Sequence, residues 1–161
     1  MIIIIEGIDR VGKTTLANKL QKELNYPIFK DLPKYINTDF KNSDVNTAKI
    51  DLLINLFETN IIKDVILDRG HFTEYVYGIV NRNYINNYIQ DMDERLSKLN
   101  NLTLIYVKPE DLNRSIKEHG SDLTQHNNLM ENCIKNSKIK NIITTSYSKL
   151  NDVVNFYKYK K

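Results

Sequence analysis

Gly7-Ile8-Asp9-Arg10-Val11-Gly12-Lys13-Thr14 sets two glycines five residues apart and follows the second with a lysine and a hydroxyl. This is the GxxxxGK[ST] pattern, complete at every fixed position. Glycines let successive backbone N–H groups turn toward one point, and a helix that follows aims its positive end there too. The main chain from Gly7 through Val11 to Thr15 then forms a cradle of amides. Lys13 adds a full charge for the outer phosphates, and the Thr14 hydroxyl can ligate Mg²⁺ carried on them. The expected occupant is ATP with Mg²⁺. A strand-to-helix turn bearing a surface lysine is the plainer alternative, and the complete pattern between strand and helix argues against it.

Leu67-Asp68-Arg69-Gly70 is the second anchor. Asp68 ends an apolar run, where a carboxylate can hold the metal or its waters. Arg69 faces the same cleft, and its planar fork suits a phosphoryl oxygen pair. An ion pair between strand-end neighbours is the alternative use of both residues.

These groups need a frame. Met1–Ile5 is a continuous β-branched run, as in a strand buried on both faces. Leu16, Leu20 and Leu24 share one face of a helix over 14–24. Short strands are expected at 26–30, 64–68, 102–107 and 139–144. Helices are expected at 47–60, 72–80, 84–99, 126–136 and 150–157, with another starting at Pro109 and carrying Glu110 and Asp111 in its first turn. Residues 31–46 show no period and are expected as a loop. Strands alternating with helices imply an α/β domain, a doubly wound parallel sheet of five strands with helices on both faces. Its ligands bind at the carboxyl ends of the strands. A single domain over 1–161 is expected, with an acceptor-binding region at about 31–60 and a lid at about 114–126.

Composition sets outer limits. The chain has 161 residues and a formal charge of +3, too small to argue for nucleic acid by itself. No apolar run approaches the ~20 residues of a membrane helix. The isoleucine run has no basic leader, so no signal peptide and a cytoplasmic setting are expected. Cys133 is the single cysteine, which excludes an internal disulfide and suits a small buried hydrophobe. The abundance of Asn, Lys and Ile is that of AT-rich coding DNA, as in some viruses and phages. His71 is expected as a polar residue at a helix start, His119 and His126 as solvated, and Tyr75, Tyr77 and Tyr88 as a packed helix face.

"EGIDRVGKTT" resembles the phosphate loop of thymidylate kinases, a P-loop nucleotide kinase family. "LDRGHFTEYVYG" resembles that family's DRY-x-x-S-x-x-A-Y segment, with Asp68, Arg69, Thr73 and Tyr77 at matching steps. "LLINLFETN" is similar to its LLF-x-x-N helix. The resemblance implies transfer of the γ-phosphoryl of ATP to a deoxynucleoside monophosphate with Mg²⁺. It implies that Asp9 contacts the acceptor sugar, Arg69 holds the acceptor phosphate, and Phe57 stacks on the base. Thr73 and Tyr77 line the acceptor pocket, and Tyr77 is otherwise a core residue. Arg10 matches the loop arginine of some thymidylate kinases and would stabilise the transferring phosphoryl, because the lid stretch "KEHGSD" has no arginine. Lys117 and Arg114 are weaker lid cations. A homodimer is one arrangement the resemblance allows.

Departures leave the base open. The family's thymine-reading arginine is replaced by Ile61, and its FPxR motif by Phe29-Lys30-Asp31-Leu32-Pro33-Lys34. Lys30 and Asp31 there offer both a cation for a phosphate acceptor and a carboxylate for a hydroxyl acceptor. The alternatives are therefore a kinase acting on a hydroxyl of a deoxynucleoside or of a modified base in DNA, and a nucleotide-binding switch without an acceptor.

Overall fold

In a computed structural model of the chain, residues 1–30, 43–83 and 88–159 are described, with side chains from residue 48 onward in the second segment. Five strands form one sheet, β1 (Ile2–Glu6), β2 (Ile28–Lys30), β3 (Val65–Asp68), β4 (Leu102–Val107) and β5 (Ile142–Thr145), in the order β2-β3-β1-β4-β5. Every pairing is parallel. All five residues of β1 are buried. Successive side chains point to opposite faces, so burial of all of them requires both faces to be covered.

The helices that cover the sheet are α1 (Lys13–Leu24), α2 (Ser43–Glu58), α3 (His71–Arg82), α4 (Ile89–Ser97), α5 (Leu112–His119), α6 (Thr124–Asn136) and α7 (Leu150–Lys158). α1 packs with α7, while α3 packs with α6 and α4. Leu16, Leu20 and Leu24 lie buried along one face of α1, as their spacing requires. This is the expected five-stranded parallel α/β architecture.

Several boundaries move, each for a local reason. The helix expected from Pro109 begins at Leu112, because Asp111 is its N-cap and accepts from the N–H groups of Asn113 and Arg114. Glu110 leaves that turn to accept from Ser146 Oγ at 2.9 Å and Ser148 N–H at 2.8 Å. α2 starts at Ser43, inside the stretch read as loop. The remainder of that loop, with Asp31, lies outside the described residues, as do residues 84–87 at the start of the helix expected over 84–99. β5 begins at Ile142 rather than 139, since the N–H of Ile139 turns to Ser137 Oγ.

β1 lies at the centre, with β3 on one side and β4 on the other. The chain order reverses about β1, so the loop after it opens at a topological switch point.

Candidate phosphate-binding cleft

The loop after β1 requires its glycines for different reasons. Gly7 has φ +145, and a Cβ there would lie 2.4 Å from the carbonyl oxygen of Val107. Gly12 has φ +99, and its Cβ would lie 2.6 Å from the Tyr147 ring. Val11 turns its side chain into the core, 3% exposed, and pins the loop from below. α1 starts immediately after Gly12, with no side-chain cap and no acidic residue in its first turn. Among the described residues, the N–H groups from Val11 to Thr15 donate to no protein acceptor, a row of free donors on a positive helix end.

A cleft of about 490 Å³ opens over this loop, lined by Asp9, Arg10, Gly12, Lys13, Thr14, Thr15, Arg69, Glu118, His119 and Tyr147. Lys13 is 5% exposed; its Nζ donates to the carbonyl oxygen of Ile8 at 2.5 Å and lies 3.8 Å from Asp9 Oδ1. Burial lowers its pKa to about 8, against the pull of Asp9. The Arg69 guanidinium donates to Asp9 Oδ1 at 2.9 Å. Arg69 holds φ +92 and Arg10 φ +65, left-handed backbone that a non-glycine residue adopts at a cost of order 1–3 kcal/mol. Both strained residues are cations facing the cleft.

Asp68 is 1% exposed. Its Oδ2 accepts from the Thr14 hydroxyl at 2.6 Å, and its Oδ1 has no hydrogen-bond partner. Lys30 Nζ donates to Thr14 Oγ1 at 3.2 Å and lies 3.8 Å from Asp68. An unpartnered buried carboxylate oxygen beside a hydroxyl is the donor set a hard divalent cation takes when phosphate oxygens supply the rest. The residues thus fit Mg²⁺, and Thr14 and Asp68 are the ones that would hold it.

Other expected site residues fall elsewhere. Phe57 is 2% exposed in the core with Leu53 and Ile54, so the ring expected to stack on a base is covered by the inner face of α2. Thr73 points inward and donates its hydroxyl to Glu6. Tyr77 meets the loop through its hydroxyl, which accepts from the N–H of Asp9 at 2.9 Å. Ile61 is 71% exposed. Tyr88, expected in a packed face, is exposed. Cys133 is half-buried, and burial pushes its thiol up to about 12, leaving it inert.

Sequence reasoning missed three contributors. Glu6 is fully buried at the end of the isoleucine strand and accepts from the N–H groups of Phe72 and Thr73, so it caps α3 and fixes the strand-to-helix turn carrying Arg69. A charge closing an otherwise apolar run was its only signal. Gly70 lies within that turn because a Cβ there would lie 2.7 Å from Glu6 Oε1. His71 is the helix-start residue expected, the first of α3, and it is buried, with Nε2 3.2 Å from Asp93. Asp93 is desolvated, which raises its pKa, but hydrogen bonds from His71, the Lys138 N–H and Ser137 outweigh this and hold it low. His126 is buried against Tyr77 at 4.6 Å and bonds Asn81, and His119 lines the cleft; neither is the solvated residue expected. Tyr147 enters from the loop after β5, where no periodicity marks it.

The five-stranded parallel α/β fold is one that solved nucleotide-binding proteins share, a deoxyadenosine kinase among them. The YorR protein of Bacillus subtilis, solved with phosphorylated GDP, superposes with a TM-score of 0.73 at 20% identity, covering 99% of this chain and 95% of its own. A deoxyadenosine kinase from M. mycoides, solved with dCMP and dCDP, superposes with a TM-score of 0.57 at 16% identity over the full length of both chains. In sequence, a probable cytidylate kinase of Vairimorpha ceranae is 25% identical over 130 residues, 71% of this chain. The match spans 59% of that relative's length. No family model matches the chain. These likenesses carry the fold, and none of the three is a thymidylate kinase by name.

Proposed function

We propose that the protein transfers the γ-phosphoryl group of ATP to the phosphate of a deoxynucleoside monophosphate. The observation that carries this reading is a pair of cations from two different elements lining one cleft. Lys13 rises from the loop and Arg69 from the end of β3, and Asp9 lies between them. A single bound polyphosphate calls for the first cation. A second cation, a guanidinium held in strained backbone, points to a second anion, which is what a phosphate acceptor brings.

In this reading the amides of 11–15 and Lys13 hold the β- and γ-phosphates. Thr14 and Asp68 hold Mg²⁺, which when bound offsets phosphate charge. Arg69 grips the acceptor phosphate and keeps its attacking oxygen facing the γ-phosphorus. Arg10, exposed on the loop, reaches the oxygens of the transferring group as charge gathers on them. Lys30 adds a cation at the end of β2. No base is needed, because a phosphate oxygen is already nucleophilic.

A hydroxyl acceptor is the second reading, favoured by the fold shared with a deoxyadenosine kinase and by Asp31, which follows β2. It requires a free carboxylate base, whereas Asp9 and Asp68 are both engaged by cations or hydroxyls.

The test is ADP release from ATP and Mg²⁺ across a panel of acceptors, dTMP and dCMP first, then other monophosphates, nucleosides and short DNA. Release that requires a monophosphate supports the first reading. Release with nucleosides or DNA alone replaces it by the second, and nucleotide binding without acceptor-dependent release removes both in favour of a switch.

A further inference from the structure

α5 carries Arg114, Lys117 and His119, and they face different ways. Arg114 is 71% exposed and pairs with Glu118 at 2.7 Å. Lys117 is exposed, and neither it nor Arg114 lines the cleft. His119, the last residue of the helix, does line it. Its Nε2 lies 3.5 Å from Asp9 Oδ2, and its Nδ1 lies 2.6 Å from Ser121 Oγ. The chain turns just after it at Gly120, φ +83, which brings Ser121 back against the ring. One nitrogen is therefore oriented by a neighbour while the other faces the carboxylate that also holds Arg69 and lies 3.8 Å from Lys13.

We propose that His119 is a phosphate-facing residue of the cleft, supplying from α5 a positive group that is present only when its imidazole is protonated. This rests on reading the cleft as a polyphosphate site. Among the described residues, the charged groups that line the cleft with the ring are Asp9, Arg10 and Lys13 from the loop, Arg69 after β3 and Glu118 on its own helix, while His126 on α6 and Asp122 beyond the turn lie near that cluster. A polyphosphate tail adds negative charge opposite the ring, so the bound state favours the protonated form. An imidazole changes charge between pH 5 and 8, a guanidinium does not, and an amide carries none.

The experiment is calorimetric titration of the full chain with inorganic tripolyphosphate at about pH 6 and pH 8, for the natural protein, His119→Gln and His119→Arg. Comparing ratios between proteins cancels the titration of the probe and of Lys13. The natural protein should bind about fivefold tighter than His119→Gln at the lower pH and equally at the higher, as one partly exposed charge contact allows. His119→Arg should hold the advantage at both. If His119→Gln does not fold, the natural protein should still match His119→Arg at pH 6 and fall about fivefold behind it at pH 8. Ratios that do not change with pH overturn the inference. Acceptor-dependent turnover with flat ratios sinks His119 alone. The expected ratios without turnover on any acceptor sink the proposed reaction and leave His119 standing, and failure to bind tripolyphosphate sinks both.

Discussion

Asp9 and Asp68 are two carboxylates at the carboxyl end of one sheet, and they are built in opposite ways. Asp9 is partly exposed and has basic side chains around it: Arg69 at 2.9 Å, the His119 imidazole at 3.5 Å and Lys13 at 3.8 Å. Asp68 is sealed at the end of β3, bonded to one hydroxyl, with an oxygen left unpartnered. On the proposed reading, the first occupies a place that an incoming phosphate would take, holding the basic groups together in the empty cleft and yielding when the cleft fills. The second has a spare lone pair in a fixed position and wants a cation. Lys30, 44% exposed, stands near it at 3.8 Å. One carboxylate keeps a place; the other offers a seat.

Substituting each by its amide tests that contrast, and the larger effect belongs to Asp68. Asp68→Asn keeps an oxygen that accepts from Thr14, so the fold should survive. Affinity for Mn²⁺ in the presence of ADP, read by electron paramagnetic resonance, should fall by about 10- to 100-fold. Unchanged Mn²⁺ affinity would remove Asp68 from the metal site and leave Lys30 as its proper partner.

Asp9→Asn should act with the opposite sign and less strongly. Removing a charge that competes with phosphate should tighten tripolyphosphate binding about fivefold, the worth of a partly exposed ion pair. Use of a monophosphate acceptor should meanwhile become less efficient, because Arg69 loses its orienting partner. Weaker tripolyphosphate binding would show that Asp9 organises the cations more than it competes for them.

That contrast was only half legible in the sequence. Parallel α/β architecture follows from apolar runs such as Ile2–Ile5 and Val65–Leu67, because a strand buried on both faces cannot alternate. The loop and its lysine follow from fixed spacing. What the charges of α5 could not tell is which of them meets the cleft. Leu112 and Ile116 pack against the core, Arg114 is left in solvent, and His119, at the end of the helix before Gly120, lines the cleft. Phe57 shows the converse: its place in an "LLINLFETN" stretch resembled a ligand position, but with Leu53 and Ile54 it fills the core. Contacts between distant segments, such as Tyr147 on Gly12 or Tyr77 on Asp9, leave no local pattern to read.

Lys13 offers the smallest and cleanest readout, because its burial sets a sign. Its pKa is about 8 in the empty cleft, below the ordinary 10.5 that it regains on unfolding. Between those values the unfolded chain holds a proton that the folded chain lacks, so stability of the empty protein should rise as pH goes from about 8 to 10.5. Below 8 both states are charged there and the slope from this group vanishes. A bound polyphosphate reverses the shift by giving the ammonium an anionic partner. Nucleotide affinity should therefore decline above pH 8, and binding at that pH should take up a fraction of one proton. Calorimetry in two buffers of different ionisation enthalpy measures that fraction directly. The His119→Gln protein is the one to use, since it lacks the imidazole, and the terminal phosphate of ATP is already deprotonated at that pH. Proton uptake near zero would mean that the ammonium is already fully charged in the empty cleft, held by Asp9 more strongly than burial discharges it.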